Sequence, residues 1–259
     1  MSEKNTVNIF GSIPNTFVAM TSCDMTYLRD HGPAFTASVA KAGNSCHIHT
    51  VNPSPNYHFS EIERYFKNAF EKLRISETQN ITFTTSNFNI RKLSNEEIRT
   101  YYACSRFLVA ERLLHFGCNS LFITDIDCVF MFRVDPPNTD LGIFLRNSLP
   151  GTVGWESEGT KVAAGAVYYS EKMLYFAQEV ATTIMENPLV WFLDQVALSK
   201  AYEKHKDHLA VHKYTKDFLD WEFLPKTTIW TGKGHRKNDN LTYVYKKNEF
   251  TKMFDKAVA

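Results

Sequence analysis

Two carboxylates separated by one residue, Asp125 and Asp127, close an apolar run in Leu121-Phe122-Ile123-Thr124-Asp125-Ile126-Asp127-Cys128-Val129-Phe130, and apolar residues resume at once. Burying such a pair carries desolvation and self-repulsion, and a divalent cation offsets both. Oxygen ligands suit Mg²⁺ or Mn²⁺, whose remaining positions hold phosphate oxygens. The pair reads as a metal–diphosphate site. The competing reading is a cap or turn after a strand, positions that Asp favours.

Five other groups of residues have chemistry to offer. Asp24 can accept hydrogen bonds from the N–H edge of a base, and Tyr27 offers a stacking face. Arg106 falls four after Tyr102 and three before Val109 on the apolar stripe Ile98, Tyr102, Val109, Leu113, Phe116, so its guanidinium needs an anionic partner. That partner is a diphosphate, a sugar, the acidic pair itself or a structural core Asp. In Ala163-Ala164-Gly165-Ala166-Val167-Tyr168 the small residues allow close backbone approach, either to a ligand or to a packed helix. Asp194 and Gln195 interrupt the apolar Val190–Leu198 and suit the hydroxyls of a sugar, or else a helix-to-loop hydrogen bond. Finally, Gly232-Lys233-Gly234-His235-Arg236-Lys237 follows an apolar strand as a flexible basic loop able to wrap a phosphate. His235 is a possible third ligand for Mn²⁺.

These residues need elements to hold them. Residues 17–22 read as a buried strand with Asp24 and Tyr27 at its end. A short helix is expected over 33–42 and a second strand over 46–51. A helix over 60–74 opens with a Ser60/Glu63 capping box, and another opens with Ser94/Glu97 and ends at Gly117. Strands follow at 80–85, 120–124 and 162–169, then helices at 171–186 and 189–204. Short strands at 209–213 and 227–231 precede a basic tail whose Lys246 and Lys247 are expected to affect neither ligand affinity nor turnover. Alternating strands and helices in the first half favour a mainly parallel sheet covered on both faces. In such sheets ligands bind beyond the carboxyl ends of strands, where Asp24, Asp125 and Asp127 all fall.

Composition narrows the classes. The chain has 259 residues, 44% of them apolar, and a formal charge of +1. That suits a single domain over 1–259 with a sizeable core, and gives no global field toward nucleic acid or anionic lipid. Five cysteines without paired metal-ligand spacing read as free thiols in a reducing compartment. Met1-Ser2-Glu3-Lys4-Asn5 lacks a secretory apolar core, and no run of about 18 apolar residues occurs. The expectation is a cytoplasmic protein with no transmembrane segment and no nucleic-acid partner.

Taken in order, the motifs resemble the GT-A glycosyltransferases, most closely the family 8-like enzymes that use nucleotide sugars. The family's Asp-x-x-Tyr is matched by Asp24 and Tyr27, its Tyr/Arg-bearing helix by Tyr102 and Arg106, and its Asp-x-Asp by Asp125 and Asp127. Ala164-Gly165-Ala166-Val167 stands loosely for its Asn-Ser-Gly-Val segment, Asp194-Gln195 for its Asp-Gln helix, and Gly232, Lys233 and Lys237 for its Gly/Lys loop. The coverage runs from about residue 17 to 237. Two departures stand out: Trp230-Thr231 occupy the place of the family's loop His, and Ala163-Ala164 replace Asn-Ser.

The resemblance implies a GT-A-like (Rossmann-like) α/β fold with a mixed, mainly parallel sheet flanked by helices. It implies transfer of a hexose from a nucleoside diphosphate sugar, UDP-linked above all, to an acceptor hydroxyl of a saccharide, protein or small molecule, with retention carried over from the family. Mn²⁺ or Mg²⁺ would sit on Asp125 and Asp127. Asp24, Tyr27 and Tyr102 would hold the nucleoside, with Ala164 and Gly165 close to the donor. Gly232, Lys233, Arg236 and Lys237 would hold the diphosphate. Asp194, Gln195 and Arg106 would act at the sugar. Two alternatives stay open: a haloacid-dehalogenase-type phosphatase with Asp125 as nucleophile, and a non-catalytic nucleotide-sugar binding module.

Overall fold

The computed structural model describes residues 7–53, 59–146, 161–232 and 236–259. In chain order the strands and helices are β1 (Phe10–Gly11), β2 (Val18–Cys23), α1 (Met25–Ala42), β3 (Cys46–Val51), α2 (Phe59–Leu73), β4 (Ile81–Ser86), α3 (Asn95–His115) and β5 (Ser120–Ile123). Then come β6 (Cys128–Phe130), β7 (Leu141–Arg146), β8 (Lys161–Ser170), α4 (Leu174–Glu186) and α5 (Leu193–His205). The last are β9 (Val211–Lys213), β10 (Leu219–Asp220), β11 (Ile229–Thr231), α6 (Arg236–Asp239) and α7 (Leu241–Val258).

Eight strands form one sheet in the order β1-β4-β3-β2-β5-β8-β7-β9, and three form a smaller sheet in the order β10-β11-β6. The run β4-β3-β2-β5 is parallel, whereas β8 runs antiparallel to both its neighbours. The expected mixed, mainly parallel sheet between helices is therefore what the chain forms. From β2 the chain winds outward through β3 and β4, then returns to set β5 on the other side of β2. The crevice between the carboxyl ends of β2 and β5 is thus a topological switch point, where ligands of open α/β sheets bind.

Two cores cover the two faces. One joins Phe35, Phe66, Phe70, Phe83 and Phe254 of α1, α2, β4 and α7. The other joins Phe107, Leu113, Phe176, Val180 and Leu198 of α3, α4 and α5 to Met20 and Ile123 of the sheet. No described helix is long and apolar enough to cross a membrane.

The Ser94 box forms as expected: Ser94 Oγ accepts from Glu97 N (3.2 Å) and Glu97 Oε2 accepts from Ser94 N (2.8 Å). Gly117, at φ +93°, ends α3 by donating to the Leu114 carbonyl. Several expectations need correction. α1 begins at Met25, not 33, because Asp24 Oδ1 caps it by accepting from Tyr27 N at 2.8 Å; Pro33 lies inside the helix rather than at its start. Ser60 is the second residue of α2 and not its cap, and Glu63 pairs with Lys67 instead (2.7 Å). Phe116 falls beyond the end of α3 and is exposed, with Arg112 over its ring. α5 starts at Leu193, not 189, after Phe192 takes a left-handed φ of +74°. The basic tail is the eighteen-residue α7, capped by Asn240 and buried through Tyr243, Phe250, Phe254 and Ala257 against α1 and α2.

Candidate functional site

The chain leaves the large sheet at Ile123 and enters the small one at Cys128, and the turn between them carries both carboxylates. Thr124 extends β5, its N–H donating to the Met20 carbonyl of β2 (2.9 Å), and Cys128 N closes the turn on the Asp125 carbonyl (3.1 Å). Antiparallel pairing of β6 with β11 sets Thr231 opposite Cys128, which brings Gly232 beside Asp127. A bulge opposite Ile143/Phe144 of β7 lets Ala164–Ala166 arch past the end of β5. Thr124 Oγ1 holds the arch by donating to the Gly165 carbonyl (2.8 Å). A Cβ on Gly165 would stand 3.0 Å from Asp125 Oδ2, so the glycine makes room for that carboxylate. Ala164 instead points into the core beneath α3 and α5.

Arg106 is 6% exposed and bridges two acids. Its Nη1 donates to Asp125 and its Nη2 to Asp194 Oδ2 at 2.8 Å. Burial works against the guanidinium charge, but Asp125 and then Asp194 outweigh it and raise its proton affinity. Asp194 stands in the first turn of α5, not mid-helix, with Oδ1 accepting from Gln195 N (2.8 Å). Burial raises its carboxyl above the ordinary range; Arg106 opposes that and Asp125 adds to it. Gln195 is half-buried beside it.

Asp127 is 8% exposed. Oδ2 accepts from Lys237 Nζ (2.8 Å), while Oδ1 is buried without a partner among the described residues. Burial raises its carboxyl first, Lys237 pulls it down, and Asp125 pushes it up again. Gly232 packs against the Lys237 stem, 2.9 Å from its Cβ if it bore a side chain. Asp125, Asp127 and Cys128 can each offer a ligand atom, all within 4.8 Å of one another. Three carboxylates thus face two cationic side chains, and Asp127 Oδ1 has no partner among the described residues. That donor set fits a divalent cation.

On the other side of the crevice, Tyr27 is 45% exposed at the head of α1, with Lys237 Nζ 5.2 Å from its ring centroid. Tyr102 is half-buried, hydrogen-bonded through its hydroxyl to the Asn52 side chain and near enough to Asp24 to feel its charge; burial is the main cause of its raised pKa. The fold thus brings Asp24, Tyr27, Tyr102, Arg106, Asp125, Asp127, Gly165, Asp194, Gln195 and Lys237 to one end of the sheet. Lys233 and His235 lie outside the described residues, and Arg236 opens α6.

Three residues were not foreseen. Asn52 ends β3 at φ +51°. Cys128 offers sulfur beside the carboxylates; its thiol is pushed up to about 12, mainly by burial and then by Asp125 and Asp127. Lys247, on α7, reaches the site because α7 packs on α1. Only Lys247 left a signal, four residues after the buried Tyr243. No protein-family model and no curated protein matches the sequence.

Proposed function

We propose that this protein is a GT-A-like hexosyltransferase that moves a hexose from a nucleoside diphosphate sugar, UDP-linked above all, to an acceptor hydroxyl. The observation that carries this reading is the buried, unpartnered Asp127 Oδ1 next to Asp125 at the switch point of the sheet. Asp125 and Asp127 would hold Mn²⁺ or Mg²⁺, which when bound neutralises charge on a leaving diphosphate.

The chain's own residues do the rest. Tyr27 offers an exposed ring at which a base can stack, and Tyr102 lies near enough to Asp24 to feel its charge. Asp24 has one carboxylate oxygen committed to the α1 cap and one left for a nucleoside. Arg106 orients Asp125 and Asp194 together, so it is a positioning residue as much as a contact. Asp194, bonded through both oxygens and held by Arg106, would position the Gln195 amide beside it for sugar hydroxyls. Lys237, already paired with Asp127, is a cation that can serve the diphosphate.

The non-catalytic reading has one observation in its favour: each carboxylate of the pair already carries a side-chain cation, Arg106 on Asp125 and Lys237 on Asp127. Incubation with UDP-hexoses and Mn²⁺, monitored for UDP release, separates the two readings. Donor hydrolysis or transfer supports the enzyme. Donor binding without UDP release favours the module, and neither binding nor release would sink both.

A further inference from the structure

The seam between α1 and α7 carries positive charge whose nearest acids, Asp127 and Asp30, are already shared with other cations. α7 is tied to the acidic turn by Tyr243, whose hydroxyl donates to the Asp127 carbonyl. Lys247 follows Tyr243 by four residues and so shares its face of the helix. It is half-buried and makes no ion pair among the described residues. Across the seam on α1, His31 is 9% exposed and its Nδ1 is buried without a partner among the described residues. The His31 ring lies 5.2 Å from that of Tyr27, over which Lys237 also sits. The nearby acids are already engaged, Asp30 by Arg29 at 3.0 Å and Asp127 by Lys237 at 2.8 Å. These groups oppose one another. Burial and then Lys237 lower the proton affinity of Lys247, and Asp127 and Asp30 only partly offset them; burial followed by Lys247 and Lys237 holds His31 down at about 3 against the pull of Asp30. A part-buried ammonium with no ion pair of its own among the described residues is unfavourable in a folded chain, and such positions suit a ligand of opposite charge.

We infer that Lys247 and Lys237 form a two-ammonium clamp for a diphosphate, with His31 beneath them. The clamp deepens the glycosyl-transfer reading and rests on it only for identifying the anion as that of the donor. Lys237 would exchange the Asp127 carboxylate for a phosphate oxygen, which frees Asp127 Oδ2. Diphosphate and divalent cation would then help each other bind, a coupling that is reciprocal by thermodynamic necessity.

Calorimetry with inorganic pyrophosphate, UDP and uridine in Mg²⁺ tests the clamp on wild type, Lys247→Met and Lys247→Arg. Lys247→Met should weaken pyrophosphate and UDP about tenfold, the scale of one charge-assisted hydrogen bond. Lys247→Arg should stay near wild type, and uridine should bind all three alike. Equal pyrophosphate and UDP affinities in wild type and Lys247→Met would overturn the clamp, even in an active enzyme. Lys247-dependent binding of pyrophosphate without any binding of UDP would keep the clamp and reject the nucleotide-sugar reading. Lys247→Met should melt at or above the wild-type temperature; a clear fall would contradict the unbalanced charge on which the clamp depends.

Discussion

Two buried polar networks lie in the large sheet, and they differ in whether they are complete. Between β3 and β4, His47 Nδ1 meets Thr82 Oγ1 (2.8 Å) and its Nε2 meets Thr84 Oγ1 (2.9 Å); His49 Nδ1 meets the same Thr84 hydroxyl (2.9 Å) and its Nε2 meets Ser86 Oγ (2.9 Å). Each ring nitrogen has a partner, and because Thr84 has one proton to give, the chain of bonds must point one way along its length. At the carboxyl end of β5 the network stays open. Asp127 Oδ1 and Arg106 Nε are buried without partners among the described residues, although three further charged side chains, Asp125, Asp194 and Lys237, pair with their residues. A closed polar network specifies a fold; an open, ionisable one at a strand end marks where a ligand completes the bonding.

The largest effect expected from breaking this contrast is on the open side. Asp125→Asn and Asp127→Asn should each lower hexose transfer by at least about a hundredfold, the scale of lost transition-state charge stabilisation. Asp127→Asn should melt close to wild type, whereas Asp125→Asn should lose about 1–3 kcal/mol because buried Arg106 loses a charged partner. Full turnover in both variants would make the acidic turn a structural feature.

Asp194 belongs partly to each kind, being fully bonded yet next to the open pair. Asp194→Asn should lower stability by about 1–3 kcal/mol, because Arg106 loses a charged partner, and should also lower transfer by about a hundredfold. Wild-type turnover with a lowered melting temperature would assign Asp194 to the closed, structural kind.

On the closed side, pH gives the sharper probe. His47 titrates at about 3 in the folded chain against an ordinary 6.5, mainly through burial, and His49 is likewise lowered well below 6.5. Below pH 6.5 the unfolded chain therefore takes up protons that the folded one refuses. Stability from His47 is complete above 6.5 and falls toward pH 3, with a slope approaching about 1.4 kcal/mol per pH unit. Urea melts between pH 7 and 4 should show this loss. His47→Leu should reduce the slope by its own share, leaving those of His49 and His31, cost about 1–3 kcal/mol at pH 7 by stranding Thr82, and leave UDP binding unchanged. A pH-independent stability would mean the rings are not held neutral.

The smallest effect expected is at the exposed rim. Tyr27→Ala should weaken UDP by about tenfold, the scale of one lost base stack, with no change in melting temperature. Lys246→Ala should alter neither, because Lys246 pairs with Glu249 at 2.9 Å. Unchanged UDP affinity in Tyr27→Ala would leave that ring as surface.

Local signals in the sequence were legible where one interaction range decides the outcome. The apolar run before Asp125, the Ser94/Glu97 box and Gly117 each depend on neighbours within a few residues, and each forms as read. α7 was hidden because Lys246, Lys247, Lys252 and Lys256 dominate its composition, while its buried stripe of Tyr243, Phe250, Phe254 and Ala257 skips the position that Lys247 fills. The helix expected over 33–42 begins instead at Met25, because the Asp24 cap outweighs the N–H missing at Pro33. Arg106 was recognisable as a buried charge, whereas its choice of two acids, Asp125 and Asp194, depends on the packing of α3 and α5 at the end of β5. Gly165 was recognisable as a place of close approach, and what approaches is the Asp125 carboxylate.

The account turns on the open carboxylate at Asp127 being a cation and diphosphate site, and a thermal-melt titration of wild type and Asp127→Asn with Mn²⁺ and UDP, alone and together, tests it most directly. Ligands that bind only the folded state raise its melting temperature by mass action. Wild type should rise most with both ligands present, by more than the sum of the separate shifts, and Asp127→Asn should lose the Mn²⁺ shift and the excess. Equal shifts in wild type and Asp127→Asn, or no shift in wild type with any combination, would contradict the account.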